Sequence, residues 1–335
     1  MNCKFVIACG GTGGHLSPGI ALAQKLTGNG HDCKLFISQK QVDARLIKKY
    51  EDLEYVPVPG IGVSLHPVRL TIFVLSLVRS IFFAFNWLRK CRPDVVVAFG
   101  GYISVGIVFS AYLLHIPIVL HEANRKPGRS VRLMRKLATR IYLPDGIRLR
   151  GINPSRIRYY GYPVREEMFR CEMEESRQAL GFNITGKLLV IMGGSQGASI
   201  FNKWVVDNFE DLSAEGINIF CISGPIYGTD GVMDGISLNG TRVQAIFKSF
   251  SDQIPAVLSS ADLVISRAGA GSIAEIIRCR TPSILIPYPF AADNHQLSNA
   301  LFFERQGGGV LIHQEKMDRL LAEVKDLISN KWLLS

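Results

Sequence analysis

Short apolar runs and amphipathic stretches alternate along the whole chain. The apolar runs predict strands at Lys4–Cys9, Lys34–Ser38, Asp94–Phe99, Pro117–His121 and Arg140–Leu143, and again at Lys187–Met192, Asn218–Ser223, Val243–Phe247, Leu263–Ser266 and Ser283–Pro287. The helices predicted between them include Pro18–Thr27, Ser104–Leu114, Ser272–Cys279 and His295–Gln306. Such alternation is typical of α/β proteins, in which parallel sheets carry helices on both faces.

Two glycine-rich turns of the same design lie about half a chain apart. Gly10-Gly11-Thr12-Gly13-Gly14-His15 follows the first predicted strand, and Gly193-Gly194-Ser195-Gln196-Gly197-Ala198 follows Lys187–Met192. Each turn leads into a predicted helix. Backbone N–H groups point outward at such a turn and the helix dipole favours negative charge, so each turn is a candidate anion site. The pair indicates either two phosphate-bearing ligands or one ligand held across two domains.

The chain divides into two halves of similar design. Its 335 residues are enough for two domains with separate cores. Gly161-Tyr162-Pro163 interrupts the pattern, which predicts a first domain at 1–162 and a second at 163–335. Ligands of parallel α/β sheets bind beyond the carboxyl ends of the strands, where both glycine turns lie. We therefore predict two Rossmann-like α/β domains that face a cleft containing the active site.

Leu70–Leu88 is a long segment of mostly apolar residues. It approaches the ~20 residues that span a bilayer, but Arg79 at its middle would cost at least a few kcal/mol there. On a helix, one broad face holds Thr71, Ser76, Arg79, Ser80 and Asn86, with Ile72, Leu75 and Phe83 among them. We predict a helix of the first domain whose exposed side dips into a membrane surface. A fully buried helix and a transmembrane span are the alternatives.

The net charge of +10 is concentrated in one stretch. Between Arg125 and Arg165, twelve lysines and arginines face a single acid, Asp145. This excess predicts either a solvated basic helix or a surface for anionic lipid or pyrophosphate. Nucleic acid is not an expected partner, because no nucleic-acid-binding motif or aromatic interleaving accompanies the charge.

The cysteines and the N-terminus indicate a cytoplasmic protein. Seven cysteines are scattered without any CxxC pair, which predicts reduced thiols and neither a disulfide framework nor a zinc site. The N-terminal apolar run ends in the first glycine turn and has no small-residue cleavage site, so we expect no signal peptide.

Taken together, the motifs resemble those of the MurG family of bacterial glycosyltransferases. The matching segments are Gly10–His15 with Pro18, Gly100–Tyr102, His121–Asn124, Gly161–Arg165, Gly193–Ala198, Ser266–Ala270, Glu275 and Pro287–Ala300. A single glycine loop is common, whereas this ordered set is specific. The resemblance implies a two-domain GT-B fold, an inverting mechanism, and no required metal or cofactor.

The resemblance also implies the substrates and the location. The donor would be UDP-N-acetylglucosamine and the acceptor undecaprenyl-linked lipid I, with lipid II as the product. The enzyme would be a peripheral protein at the cytoplasmic face of the anionic inner membrane.

The sequence departs from the family pattern at three places. Family members usually have Gln at Ala123 and Asn at Tyr162, and they often have Gly-Pro where Val105-Gly106 stands. These departures bear on fine substrate geometry and not on the class of enzyme. The family also has a further C-terminal helical segment that packs across the first domain, whereas this sequence ends at Ser335, soon after Met317–Ile328.

The implied reaction displaces UDP from an anomeric carbon by a sugar hydroxyl. It needs a base that accepts the hydroxyl proton, stabilisation of the departing diphosphate and a binding site for the uridine. His15, at the mouth of the first glycine turn, is the predicted base, because a neutral imidazole can accept a proton near pH 7. Positioning of the acceptor pyrophosphate and capping of the helix are alternative roles for His15. Glu122 and His121 are alternative bases, although a Glu beside a His at a strand end is often only structural.

Most of the donor site is predicted in the second domain. Ser195 and the dipole of a helix starting near Gln196 would hold the diphosphate, Arg165 would bind phosphate or sugar, and the Glu275 carboxylate can accept both ribose hydroxyls. The resemblance adds to the donor site Ser251, Ala270, Gly271, Ser272, Ile273, Ala274 and Gln296, with His295. It gives the sugar or the acceptor Asn124, Thr12, Gly13 and Gly14. A surface salt bridge for Arg165 and an exposed helix charge for Glu275 are the structural alternatives.

Three other functions fit parts of the sequence. A glycolipid transferase with a diacylglycerol-type acceptor would share the same donor half. A non-catalytic nucleotide-sugar-binding subunit would lack catalytic residues in one half, whereas both glycine turns and His15 are present. A Rossmann dehydrogenase is disfavoured, because the first turn is not GxGxxG and Ser38-Gln39 stands where an acidic ribose ligand would follow the second strand.

Overall fold

The protein is described by a computed structural model covering residues 2–10, 13–39, 47–60, 67–182, 186–194, 197–224 and 230–330. The chain forms two compact units, Met1–Glu166 and Glu167–Ser335. The boundary predicted from the sequence lies after residue 162, and the first unit ends at Glu166.

The first unit is built on a seven-stranded parallel sheet. Its strands are β1 (Lys4–Ala8), β2 (Asp32–Ile37), β3 (Glu54–Pro57), β4 (Val95–Ala98), β5 (Ile118–His121), β6 (Arg140–Leu143) and β7 (Ile157–Tyr159). They lie in the order β3-β2-β1-β4-β5-β6-β7. The helices are α1 (Gly13–Gly28), α2 (Pro67–Cys91), α3 (Gly101–Leu113) and α4 (Arg129–Met134).

Alternate residues of the central strand β1, and Cys9 directly after it, pack into two separate cores. Val6 and Ala8 belong to the core that contains α3, while Ile7 and Cys9 belong to the core that contains α1. All four residues are fully buried. A strand covered on both faces has no polar side, which is why β1 is a continuous apolar run in the sequence.

The second unit repeats this architecture with one reversed strand. Its strands are β8 (Lys187–Met192), β9 (Ile217–Ile222), β10 (Gly231–Ile236), β11 (Arg242–Lys248), β12 (Leu263–Ser266), β13 (Ser283–Leu285) and β14 (Val310–Leu311). They lie in the order β10-β11-β9-β8-β12-β13-β14, and β10 is antiparallel to β11. The helices are α5 (Met173–Ala179), α6 (Ser199–Ala214), α7 (Ile254–Ser260), α8 (Ala270–Cys279), α9 (His295–Arg305) and α10 (Leu320–Ser329).

The sequence analysis missed four strands, and these are the four sheet edges β3, β7, β10 and β14. An edge strand is paired on one side only and part of it faces solvent, so its sequence need not form a continuous apolar run. The residues of β10 alternate between exposed and half-buried positions. The parallel α/β architecture predicted from the sequence is confirmed, with β10 returning to β11 as an antiparallel neighbour at one edge.

Helix α2 packs on α3 through small residues and turns large apolar residues outward. Ser80, Ala84 and Leu88 are buried, and a Cβ placed on Gly106 of α3 would lie 2.8 Å from Ser80 Oγ. The large apolar residues left exposed are Ile72, Val74, Leu75, Val78 and Phe82. A fully buried helix is therefore not what the chain forms, and the prediction that Ser80 belongs to an exposed face is wrong.

By length and composition alone, Thr71–Cys91 is long and apolar enough to cross a membrane, with a mean hydropathy of 1.7. Only 17% of this apolar stretch is buried within the protein.

Candidate active site

The first glycine turn joins β1 to α1 at the carboxyl edge of the first sheet. A Cβ on Gly10 would lie 2.2 Å from the backbone nitrogen of Ser38, so the chain passes too close to the end of β2 for any side chain at this position. Gly13 and Gly14 form the first turn of α1. Gly11 and Thr12, the latter a predicted ligand, lie outside the described residues.

His15 lies against a second pair of glycines at the same edge of the sheet. A Cβ on Gly100 would be 3.4 Å from His15 Nε2, and one on Gly101 would be 3.6 Å from His15 Nδ1. Both glycines have positive φ, 94° and 79°, and lead from β4 into α3. The Gly101 N–H donates to the hydroxyl of Ser130 at 3.2 Å. The half-buried imidazole therefore lies where β1, β4 and the start of α4 meet.

His121 is buried at the end of β5 and holds the segment that leads out of the first unit. Its Nε2 lies 3.1 Å from the Gly161 carbonyl oxygen, so Nε2 carries the hydrogen and donates it. The ring packs against Phe99 with centroids 5.1 Å apart. Burial lowers the pKa of His121, which favours the neutral ring. These contacts suit a positioning role better than that of the alternative base.

Glu122 organises the loop between β5 and α4. Its Oε1 accepts hydrogen bonds from the backbone N–H and the side-chain amide of Asn124, both at 2.9 Å. Its Oε2 accepts from the Gly128 N–H at 2.7 Å. The carboxylate is only 4% exposed. A carboxylate bound in this way shapes the loop and orients Asn124, one of the predicted ligands.

Arg165 is buried in the first unit and is not a surface salt bridge. It is 8% exposed, and its Nη1 donates to the Tyr50 hydroxyl at 2.9 Å. Its binding of donor phosphate or sugar stays a prediction.

The second glycine turn also depends on residues without side chains. A Cβ on Gly193 would lie 2.3 Å from the Ala198 nitrogen, and one on Gly197 would lie 2.5 Å from the Ser223 carbonyl oxygen. Ser195 and Gln196 lie outside the described residues. Helix α6 begins at Ser199, so the prediction that a helix starts near Gln196 is wrong, and the last part of the turn precedes the helix.

The N-terminus of α8 lies beyond the carboxyl end of β12 and is a candidate anion-binding element. Gly269 occupies the N-cap position with extended backbone angles and has no side chain to cap the helix. The first-turn N–H groups therefore remain available to a ligand. The structure brings together here the predicted residues Ala270, Gly271, Ser272, Ile273 and Ala274, all half-buried, with Glu275 in the next turn.

Arg267 is a residue of this edge to which the sequence analysis gave no role. It is 7% exposed, and its Nη1 donates to the Ile286 carbonyl at 3.1 Å, while Nη2 donates to Gln314 Oε1 at 2.7 Å. Its guanidinium lies over the rings of Phe201, at 4.6 Å, and Tyr288, at 5.4 Å. Burial lowers its pKa to about 10, so it stays charged at neutral pH. The signal in the sequence that could have identified Arg267 was its place directly after the buried run Leu263–Ser266.

Three further predicted ligands are Gln296 and His295, in the first turn of α9, and Ser251, in the loop after β11. Gln296, in the first turn of α9, accepts a hydrogen bond from the Tyr288 N–H through Oε1 at 2.9 Å. His295 Nδ1 lies 2.7 Å from the Ala292 carbonyl oxygen. Ser251 follows β11, and its hydroxyl accepts from the Gln253 N–H at 3.2 Å.

Two family models match the chain, one in each unit. The glycosyltransferase family 28 N-terminal domain matches residues 5–143. The glycosyltransferase family 28 C-terminal domain matches residues 188–333.

Curated relatives match over nearly the whole chain. A protein of Opitutus terrae is 50% identical over 98% of this chain and 88% of its own length. A protein of Lawsonia intracellularis is 34% identical over 95% of this chain and 86% of its own length. Both are named UDP-N-acetylglucosamine--N-acetylmuramyl-(pentapeptide) pyrophosphoryl-undecaprenol N-acetylglucosamine transferase.

Solved structures show the same fold at lower identity. The crystal structure of Acinetobacter baumannii MurG matches with a TM-score of 0.71 at 21% identity, over 99% of this chain and 92% of that chain. The glycotransferase of kitacinnamycin matches with a TM-score of 0.72 at 17% identity over the same shares. The predicted GT-B class of fold is confirmed. With both domain models matched and a half-identical relative covering nearly all of it, the chain belongs to glycosyltransferase family 28.

Proposed function

We propose that this enzyme transfers N-acetylglucosamine from UDP-N-acetylglucosamine to undecaprenyl-linked lipid I, which forms lipid II for peptidoglycan synthesis. The observation that carries the proposal is the 50% identity, over 98% of the chain, to an Opitutus terrae protein whose name states this transfer. The two glycine turns support it, because donor and acceptor each bring a diphosphate group to be bound by backbone N–H groups.

The second unit binds the donor in this proposal. The uncapped first turn of α8, Ala270–Ala274, binds the diphosphate and ribose through its N–H groups, and Glu275 accepts the ribose hydroxyls. Ser195 adds a diphosphate contact, and Ser251 lies beside the uracil. Gln296 uses its Oε1 to accept from Tyr288, which leaves its NH₂ group to donate to a hydroxyl of the donor sugar. Arg165 completes the predicted set as a phosphate or sugar ligand.

The first unit binds the acceptor and carries the base. Thr12, Gly13, Gly14 and Asn124 hold the acceptor or the transferred sugar. The acceptor hydroxyl oxygen forms the new bond to the anomeric carbon as the bond between that carbon and the UDP oxygen breaks. The hydroxyl proton passes to His15. In support of this role, the half-buried imidazole lies beside Gly100 and Gly101 at the carboxyl edge of the sheet, and these two glycines add no side chains of their own around it.

Peripheral attachment to the cytoplasmic face of the inner membrane completes the proposal. The exposed apolar face of α2 includes Leu75 at 65% and Phe82 at 66% exposure. Basic residues Arg89, Lys90 and Arg92 follow it. In the basic stretch, Arg135, Arg156 and Arg158 donate to backbone carbonyls, which leaves their positive charge uncompensated by those bonds. Apolar insertion and attraction to anionic lipid act together at such a surface.

The test is a turnover assay with a lipid I analogue and UDP-N-acetylglucosamine, run beside a diacylglycerol acceptor and beside UDP-glucose. We expect product only with the lipid I analogue and a strong preference for the N-acetylated donor. The proposal would be contradicted by turnover of diacylglycerol, or by a protein that binds UDP but does not turn over the lipid I analogue.

A second assay tests the base. His15→Ala should lower kcat by at least a hundredfold, the usual contribution of a general base being about 10²–10⁴, while the affinity for UDP stays unchanged. Near-normal turnover by His15→Ala would remove the base role and leave positioning.

A further inference from the structure

The carbonyl of Gly14 lacks its regular partner within α1. In an α-helix the carbonyl of residue i accepts from the N–H of residue i+4. For Gly14 that residue is Pro18, which lies inside α1 and has no N–H. The missing bond falls in the first turn of the helix, one residue before His15.

Tyr162 supplies a hydrogen-bond donor to this carbonyl from 148 residues away. Its hydroxyl donates to the Gly14 carbonyl oxygen at 3.3 Å. The backbone on either side of Tyr162 is also fixed to the first unit. The Gly161 carbonyl accepts from His121 Nε2 at 3.1 Å, and the Glu166 N–H donates to the side chain of Gln24 on α1 at 3.3 Å.

We propose that Tyr162 is a positioning residue for the first glycine turn, whose hydroxyl replaces the N–H that Pro18 lacks and thereby holds Gly14 and His15 in the arrangement used by the acceptor. Its kinetic consequence rests on the function proposed above. Tyr162 stands at one of the three places where the sequence departs from the family pattern. It also couples the segment that leads out of the first unit to the turn that carries the predicted base.

Two substitutions test the role in opposite directions. Tyr162→Phe removes only the hydroxyl, and we expect kcat/KM for the lipid I analogue to fall about tenfold, the size expected for the loss of one hydrogen bond that positions the turn. KM for UDP-N-acetylglucosamine should not change. Pro18→Ala returns an N–H that can bond to the Gly14 carbonyl within the helix. The double variant Pro18→Ala/Tyr162→Phe should therefore recover most of the lost kcat/KM.

Tyr160→Phe is the matched control, since Tyr160 is 64% exposed and its ring packs against Tyr142. We expect this variant to behave as the wild type. Wild-type kcat/KM in Tyr162→Phe, or no recovery in the double variant, would overturn the proposal.

Amide hydrogen exchange on the free protein keeps this inference separate from the proposed function. Peptides covering the first turns of α1 should exchange faster in Tyr162→Phe than in the wild type, and protection should return in the double variant. If the wild type does not use lipid I, the proposed function fails while the exchange result still decides the role of Tyr162. Equal exchange in the wild type, Tyr162→Phe and the double variant would refute that role whatever the substrate.

Discussion

Replacing Arg267 by lysine tests whether a guanidinium, and not merely a positive charge, is required at the end of β12. Arginine donates here to the Ile286 carbonyl and to Gln314 Oε1 while it lies over two aromatic rings. Lysine keeps the charge but cannot reproduce the planar fork or the stacking. We therefore expect Arg267→Lys to lose at least one of the charge-assisted hydrogen bonds and most of the ring contact.

The size of the loss follows from these contacts. One hydrogen bond to a charged group contributes about 1.5–3 kcal/mol, and a desolvated cation–π contact contributes about 2 kcal/mol. Part of this is recovered because the lysine ammonium retains one acceptor. We expect a decrease of about 3 kcal/mol in the free energy of unfolding. Because α8 starts three residues further on, UDP affinity should fall as well.

Urea unfolding followed by circular dichroism measures the first quantity, and titration calorimetry with UDP measures the second. Arg305→Lys is the matched control, since Arg305 is exposed in the last turn of α9, and it should change stability by less than about 0.5 kcal/mol. If Arg267→Lys matches Arg305→Lys in both measurements, the buried guanidinium does not organise this edge.

Three further predictions concern pH, the donor and the membrane. Burial holds the folded-state pKa of His121 below its ordinary value of 6.5, so below pH 6.5 the unfolded chain binds a proton that the folded chain resists. The free energy of unfolding should therefore fall with decreasing pH, by up to about 1.4 kcal/mol per pH unit. Between pH 7 and pH 5 this decrease should be smaller in His121→Gln than in the wild type, and an equal decrease in both proteins would disprove it. Glu275→Ala should weaken UDP binding at least tenfold in calorimetry while KM for the acceptor stays constant, and an unchanged affinity for UDP would remove Glu275 from the ribose site. Leu75→Glu or Phe82→Glu should reduce cosedimentation with anionic vesicles about tenfold or more, because each apolar side chain buried in the membrane contributes about 1.5–3 kcal/mol. Val206→Glu on α6 is the control, and equal binding by all three variants would exclude α2 as the membrane contact.

The buried strands and the glycine turns could be predicted from sequence because their causes are local. Leu263–Ser266 and Lys187–Met192 were predicted with the observed bounds, since a strand covered on both faces must be apolar throughout. The edge strand β10 had no such constraint. Gly10 and Gly193 marked places where the backbone passes too close to a neighbour for a Cβ, and a strand–turn–helix pattern was enough to find them.

The parts of the site that sequence could not supply depend on residues brought together by the fold. Tyr162 and Gly14 are far apart in the chain, and nothing local to either shows that the hydroxyl meets the carbonyl. Arg267 was visible in a motif, but its place between Phe201 and Tyr288 depends on three separate segments. The outward face of α2 was predicted, yet Ser80 lies inward because the small side chain fits against Gly106.

The contact at Gly106 also has a consequence for protein handling and engineering. A methyl group there would meet Ser80 Oγ at 2.8 Å and the Ile81 nitrogen at 3.4 Å, so Gly106→Ala would wedge α2 away from α3. The distance between these helices decides how far the large side chains of α2 protrude from the unit. In the absence of lipid the same protruding side chains favour contact between copies of the protein. Gly106→Ala, or the same change combined with Ser80→Ala to relieve the wedge, would therefore change the tendency of the protein to self-associate without changing a single surface residue.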